Sequence, residues 1–275
     1  VDNISRVDRF GFGGLKTGYR FEARVLNSTV RCEISLAAGA KSLTYSVSVD
    51  WNELAGRFVP MLALRMPVGY TAEKYLCDIP MGSILRDGGN HDFPALTYSA
   101  AIASDGAGDP LYVMTDSKYG YQLFDNTITA TLINTAHNPD PDPERGHHEI
   151  VVSVGVGSNC AKCMADISDR FMHPLRFVST NPHAGKLPSD GILAEVDTQS
   201  AHITSITKLE SGKLLVRVNE LCGKTAKVSL GFRSPVVSAE LVDLLGNKLG
   251  DALDKDKAVF EVKPYSIMAV EIALG

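Results

Sequence analysis

Apolar and polar positions alternate with a period of two through most of this chain. In Leu43-Thr44-Tyr45-Ser46-Val47-Ser48-Val49-Asp50-Trp51 every odd position is apolar and every even one is polar. A strand sends alternate side chains to opposite faces, so this segment predicts a strand with one buried face and one wetter face. Val30, Cys32, Ile34 and Leu36 repeat the pattern against Arg31, Glu33 and Ser35. Tyr19 to Leu26, Thr127 to Ile133 and Ile150 to Val156 are also strand-like and rich in β-branched residues. Clusters such as Arg86-Asp87-Gly88-Gly89-Asn90 and Asp105-Gly106-Ala107-Gly108-Asp109-Pro110 punctuate them as turns. Trp51, the only tryptophan, ends its strand on the apolar face and is expected in the core.

One stretch changes period. Between Ser158 and Phe171 the apolar residues fall at Cys160, Cys163, Met164, Ile167 and Phe171, the spacing of an amphipathic helix. Ser158 or Asn159 is placed to cap its start and Pro174 to close it. After a loop, Asn181-Pro182-His183-Ala184-Gly185, strand patterning returns in Leu214 to Val218, Ala226 to Phe232, Val236 to Leu244, Ala258 to Val262 and Ser266 to Ile272, with Gly246-Asn247 as a hairpin turn. Short strands without helical crossovers argue for antiparallel sandwiches over a parallel α/β sheet. The expected fold is all-β: a large antiparallel β-sandwich over residues 1–157, a helix and linker over 158–189, and a smaller β-sandwich over 190–275.

Composition narrows the partners. With 44% hydrophobic residues in 275, the chain has the means to build a real core. Net charge is −5 and the basic residues are dispersed, so neither nucleic acid nor an anionic membrane surface is an expected partner. No apolar run approaches the length that spans a bilayer. The opening Val1-Asp2-Asn3-Ile4-Ser5-Arg6 is neither a signal peptide nor a start methionine, and reads as a cut from something longer. Five scattered cysteines do not form a disulfide framework, which points to a reducing cytoplasm; sequons at Asn3 and Asn27 point weakly the other way.

Three phrases occur in order: Val49-Asp50-Trp51-Asn52-Glu53, Thr115-Asp116-Ser117-Lys118-Tyr119-Gly120-Tyr121, and Asn138-Pro139-Asp140-Pro141-Asp142-Pro143-Glu144-Arg145-Gly146-His147-His148-Glu149. Together, with Ile79 to Ile84 and His91 to Leu96 between them, they resemble the C-terminal region of family 38 α-mannosidases of bacterial type. Ile206 to Leu209 and Val262 to Ile267 extend the match more loosely. The resemblance implies a large sandwich of galactose-mutarotase-like form. It further implies a retaining glycosidase acting on mannose-containing oligosaccharides through two close carboxyl groups, with a zinc ion that orients the sugar. In the family an N-terminal barrel carries an H-x-H-x-D-type zinc motif and the nucleophilic Asp. No H-x-H occurs here, so the resemblance implies that this chain alone holds neither catalytic nor metal residues and is inactive. Its partner would be the N-terminal catalytic domain of the same polypeptide, whose cleft it helps to shape.

Within the chain, Asp142, Arg145 and His147 lie in the densest polar cluster, a loop stiffened by three prolines. Arg145-Gly146 resembles a family loop that reaches the sugar-binding region. The competing reading is a solvated loop whose charges pair weakly with each other. Tyr119 and Tyr121 flank Gly120 and are expected on the same face, either stacking on sugar or filling the core. His147 and His148 are adjacent, so on a strand they cannot share one metal ion. Cys160-Ala161-Lys162-Cys163 is read as helix packing rather than a redox or zinc pair. His91-Asp92 is open to two readings, a general-base pair or a local Asx-type bond in a turn-rich loop. A non-catalytic carbohydrate-binding or structural sandwich is the alternative. A stand-alone hydrolase with its site in the Asp140 to Glu149 loop would lack an evident second carboxylate.

Overall fold

A computed structural model describes residues 2–185, 188–253 and 258–275. The chain divides into two compact units, one drawn mainly from residues up to Asn159 with most of the helix, the other mainly from Pro174 to Gly275. Each is an antiparallel β-sandwich, and one short helix occurs between them in sequence among the described residues.

The first sandwich is built from β1 (Asp2–Phe12), β2 (Lys16–Val25), β3 (Ser28–Ala37), β4 (Ser42–Trp51), β5 (Met61–Pro67), β6 (Ala72–Ile79), β7 (Gly82–Asp87), β8 (Gly89–Pro94), β9 (Tyr98–Ala103), β10 (Leu111–Thr115), β11 (Gly120–Phe124), β12 (Thr127–Asn134) and β13 (Gly146–Val156). A nine-stranded sheet runs in the order β1-β2-β3-β4-β13-β10-β9-β6-β7, and a four-stranded sheet in the order β5-β12-β11-β8. The alternation of β3 and β4 decides which face is dry. Val30, Cys32, Val47, Val49 and Trp51 point to the small sheet and meet Tyr121, Leu123, Ile128, Ala130 and Leu132 in one core. The Trp51 indole N–H, fully buried, donates to Thr135 Oγ1 at 2.8 Å, which satisfies the one polar atom that this ring carries inside.

The opposite, outer face of the nine-stranded sheet is covered over part of its width. The helix α1 (Ala161–Met172) lays Met164, Ile167 and Phe171 against Leu76, Tyr98, Ala100, Tyr112 and Met114 of β6, β9 and β10. The apolar stripe read from the sequence is therefore correct for these three residues. Cys160 precedes the helix and Cys163 is half-buried, and neither belongs to the buried cluster beneath it. Full burial of a side chain such as Met164 contributes about 1.5–3 kcal/mol, so the helix is held by packing rather than by propensity.

In the second sandwich β14 (Ala194–Val196), β17 (Ala226–Phe232) and β20 (Val259–Val262) form one sheet. The other has the order β15-β16-β21-β18-β19, with β15 (Ala201–Lys208), β16 (Leu214–Glu220), β18 (Val236–Val242), β19 (Lys248–Ala252) and β21 (Ile267–Leu274). Val216, Val218, Val228, Leu230, Phe260, Val270 and Ile272 form the core between them. The expected hairpin at Gly246-Asn247 joins β18 to β19. Gly246 has φ +90° there, and the Asp243 carboxylate accepts from the amides of Leu245 and Asn247 at 2.9 and 2.8 Å.

One local expectation needs correction, and one punctuating stretch is found where it is expected. His91 and Asp92 lie in strand β8, not in a loop. The Arg86 to Asn90 stretch is the short break at Gly88 where the chain leaves the large sheet for the small one. A Cβ at Gly88 would sit 2.8 Å from the Leu123 carbonyl, so the chain passes too closely for a side chain.

Candidate functional site

The three sequence phrases serve the fold first. Glu53, only 4% exposed, accepts from the Asn27 amide at 2.7 Å, from Asn27 Nδ2 at 3.2 Å and from Ser28 Oγ at 2.6 Å, and so clamps the turn between β2 and β3. In the second phrase Asp116 accepts from the Val151 amide at 3.1 Å and from Ser117 Oγ at 2.9 Å, tying the β10–β11 turn to β13. Thr115 Oγ1, fully buried, lies 3.2 Å from the Tyr121 hydroxyl, which also donates to the Thr97 carbonyl. Buried polar groups need such partners, and each set here is supplied locally.

That arrangement separates the two tyrosines. Tyr119 precedes β11 and is 59% exposed, whereas Tyr121 is on the core face of the strand and 0% exposed. The expectation that they share a face fails, because Tyr119 lies outside the regular strand. Burial pushes the Tyr121 phenol well above its ordinary range, and its ring has no face open to a ligand.

The proline-rich loop between β12 and β13 holds itself together. Asp140 Oδ1 accepts from the Asp142 amide at 3.0 Å, and Arg145 Nη1 donates to Asp142 Oδ1 at 3.2 Å, with both side chains about half-exposed. Glu144 takes φ +60° and Gly146 φ +132°, so the chain turns sharply into β13. His148 is the more enclosed of the two histidines: its Nε2 lies 2.6 Å from the Glu144 carbonyl.

His147 points to the other side, onto the outer face of the nine-stranded sheet. Its Nδ1 is 2.7 Å from Asp50 Oδ1 on β4, and its Nε2 is 2.7 Å from Glu149 Oε1. Asp50 in turn accepts from Arg31 at 2.9 Å, and Arg31 from its Nε reaches Glu22 at 3.0 Å. This ladder runs across β13, β4, β3 and β2, with His147 directly opposite Asp50, Arg31 directly opposite Glu22, and Arg31 diagonal to Asp50. A groove of about 530 Å³ borders it, lined by Arg20, Glu22, Arg31, Glu33, Ser48 and Glu149 among others.

The electrostatics of the ladder are those of mutual pairing. The Asp50 side-chain bond raises the His147 imidazole above its ordinary value, with Glu149 adding to it. His147 in turn holds the Asp50 carboxyl low, and Ser48 followed by His147 holds Glu149 low. Both carboxylates are thus biased to stay ionised, which suits an ion pair and is the wrong bias for a general acid. A zinc ion of the kind that the sequence resemblance implies finds no fit in this set. The two ring nitrogens of His147 face different carboxylates, and no group of three or more His, Cys, Asp or Glu side chains among the described residues is placed to hold a metal.

The candidate residues therefore fall into separate places. Arg145 and Asp142 pair in the loop, His147 joins the ladder, Tyr119 stands exposed, and Tyr121 belongs to the core. Sequence reasoning missed Asp50 as a partner of His147, and Arg31 and Glu22 as the residues that extend the ladder from Asp50. The polar alternation of β3 and β4 was the only signal, since the pairing is set by strand register.

Comparisons with known proteins agree with the fold. Residues 200–270 match the family model described as the glycosyl hydrolases family 38 C-terminal beta sandwich domain. An alpha-mannosidase from Enterococcus faecalis V583 superposes with TM-score 0.76 at 13% identity, over 98% of this chain and 35% of that one. A second Enterococcus faecalis structure, of a protein in glycosyl hydrolase family 38, gives TM-score 0.78 at 13% identity, over 99% of this chain and 37% of that one. This chain thus spans about a third of the length of either structure. No curated protein sequence matches it. At such identity the likeness is one of fold. Among the described residues no helix is long and apolar enough to cross a membrane.

Proposed function

We propose that this chain is the C-terminal β-sandwich region of a zinc-dependent retaining α-mannosidase, acting on mannose-containing oligosaccharides in the cytoplasm. It frames the cleft, while a catalytic domain of the same polypeptide supplies the nucleophile and the zinc ligands. The observation that carries this reading is the superposition of nearly the whole chain on about a third of a solved α-mannosidase. The family-model match over residues 200–270 supports it independently. The division into a large sandwich over 1–157, a helix and linker over 158–189 and a small sandwich over 190–275 belongs to the same proposal.

Within that cleft we assign Arg145 the contact with sugar, oriented by Asp142, with the exposed Tyr119 as a stacking ring and His147 at the base of the loop. A guanidinium offers a planar fork of donors, and Asp142 occupies only one edge of it at 3.2 Å. In the longer polypeptide Arg145→Ala should lower kcat/KM by roughly one to two decades, the value of a charge-assisted hydrogen bond, with an unchanged melting temperature. A lower melting temperature with unchanged kcat/KM would make Arg145 scaffold.

The reading also predicts that this chain by itself does not hydrolyse an aryl α-mannoside, with or without added zinc, for want of a nucleophile and a metal set. Zinc-dependent turnover by the isolated chain, abolished by a chelator, would contradict it.

A further inference from the structure

A second groove, of about 490 Å³, lies on the outer face of the nine-stranded sheet between the last turns of α1 and the turn joining β3 to β4. Its floor is a patch of hydroxyls. Strand register sets Ser42 beside Gly155 and Gly155 beside Tyr112, and in the next row Thr44 beside Ser153. Tyr112 and Ser153 are 3% and 4% exposed, yet none of these four hydroxyls has a hydrogen-bond partner among the described residues. None of the four oxygens is a buried, unsatisfied atom, so they open into the groove and are free to bond a ligand or ordered water.

Gly155 keeps that floor open. A Cβ there would stand 2.7 Å from the Tyr112 hydroxyl and 2.7 Å from Ser42 Cβ. The rim carries charge of one sign: Lys41 from the turn and Arg170 from the helix, neither in an ion pair among the described residues, with no acidic side chain in the lining. Phe171, half-buried, supplies an apolar wall. The lining of the first groove, by contrast, sets Arg6, Arg20 and Arg31 against Asp8, Glu22, Glu33 and Glu149, so carboxylates outnumber the cations that an anion would meet.

We propose that this second groove binds a phosphorylated monosaccharide. The phosphate lies against Lys41 and Arg170, where charge-assisted bonds are strongest. The sugar hydroxyls exchange hydrogen bonds with Ser42, Thr44, Tyr112 and Ser153, each able to donate and accept. The ring's C–H face packs on Phe171. The volume suits one small ligand. This site is independent of the glycosidase reading, since every residue in it belongs to this chain.

The test is calorimetric titration of the chain with glucose 6-phosphate, inorganic phosphate and glucose. Glucose 6-phosphate should bind saturably and at least about tenfold more tightly than either fragment of it, because each fragment forfeits one set of contacts. Arg170→Ala, on the exposed helix surface, should weaken binding roughly ten- to hundredfold. Tyr112→Phe, which removes only the hydroxyl, should weaken it about two- to tenfold. Absence of saturable binding at millimolar glucose 6-phosphate overturns the proposal. So does equal affinity for inorganic phosphate or glucose, or wild-type affinity in both variants.

Discussion

The outer face of the nine-stranded sheet is two surfaces joined along β4 and β13. Across β6, β9 and β10 it is apolar and roofed by α1, with Met164 fully buried among Leu76, Tyr98, Ala100, Tyr112 and Met114. Across β2, β3, β4 and the start of β13 it is a ladder of paired charges, Glu22, Arg31, Asp50, His147 and Glu149, all of them partly exposed. One strand shows the change. The outward residues of β4 run from Ser42 and Thr44 beside the helix, through Ser46 and Ser48, to Asp50 in the ladder. The same sheet is stabilised on one half by removal of apolar area from water. On the other half stability rests on charge pairing in solvent, which is individually weak and screened by salt.

The largest expected difference between the halves is mechanical. Met164→Ala should cost about 2–5 kcal/mol in chemical denaturation, as a buried truncation that leaves a cavity. Arg31→Ala, on the charged half, should leave the denaturation midpoint close to that of wild type. Equal losses for the two would erase the distinction drawn between the surfaces.

A smaller effect separates them by pH. His147 is raised above its ordinary 6.5 in the folded state, so its contribution is fully present below 6.5 and is lost as pH rises through the folded value. Asp50 and Glu149 are held below their ordinary 3.8 and 4.5, so theirs is present above those values and is lost as pH falls through the folded ones. The ladder therefore acts most fully between about 4.5 and about 6.5. The melting-temperature gap between wild type and His147→Gln should be widest in that window and shrink on the alkaline side and in high salt. A gap that is constant across pH would show that His147 works by packing alone.

How far the chain could be read from its residues follows the same division. Strands with one wet face, β3 and β4 above all, announce themselves by alternation. Strands β9 and β10 do not: Tyr98 to Ala101 and Tyr112 to Thr115 are buried without a break, between the core on one side and α1 on the other. Double burial removes the polar half of the pattern. In β1 the alternation is broken by register shifts between Asp2 and Ile4 and between Ile4 and Val7. The loop carrying Arg145 was legible because prolines mark it. The partnership of His147 with Asp50 was not, because it joins residues 97 apart through strand register. Tyr121 misled for a related reason: position beside Gly120 gives no warning that its neighbour Tyr119 falls outside the strand.

We propose above that this fold completes a retaining α-mannosidase whose metal and nucleophile lie in another domain. The direct measurement follows an aryl α-mannoside by proton NMR with the longer polypeptide that carries this chain. The α-anomer of mannose should form first, and a chelator should abolish turnover until zinc is restored. Initial release of the β-anomer, turnover indifferent to the chelator, or no turnover at all would contradict the claim.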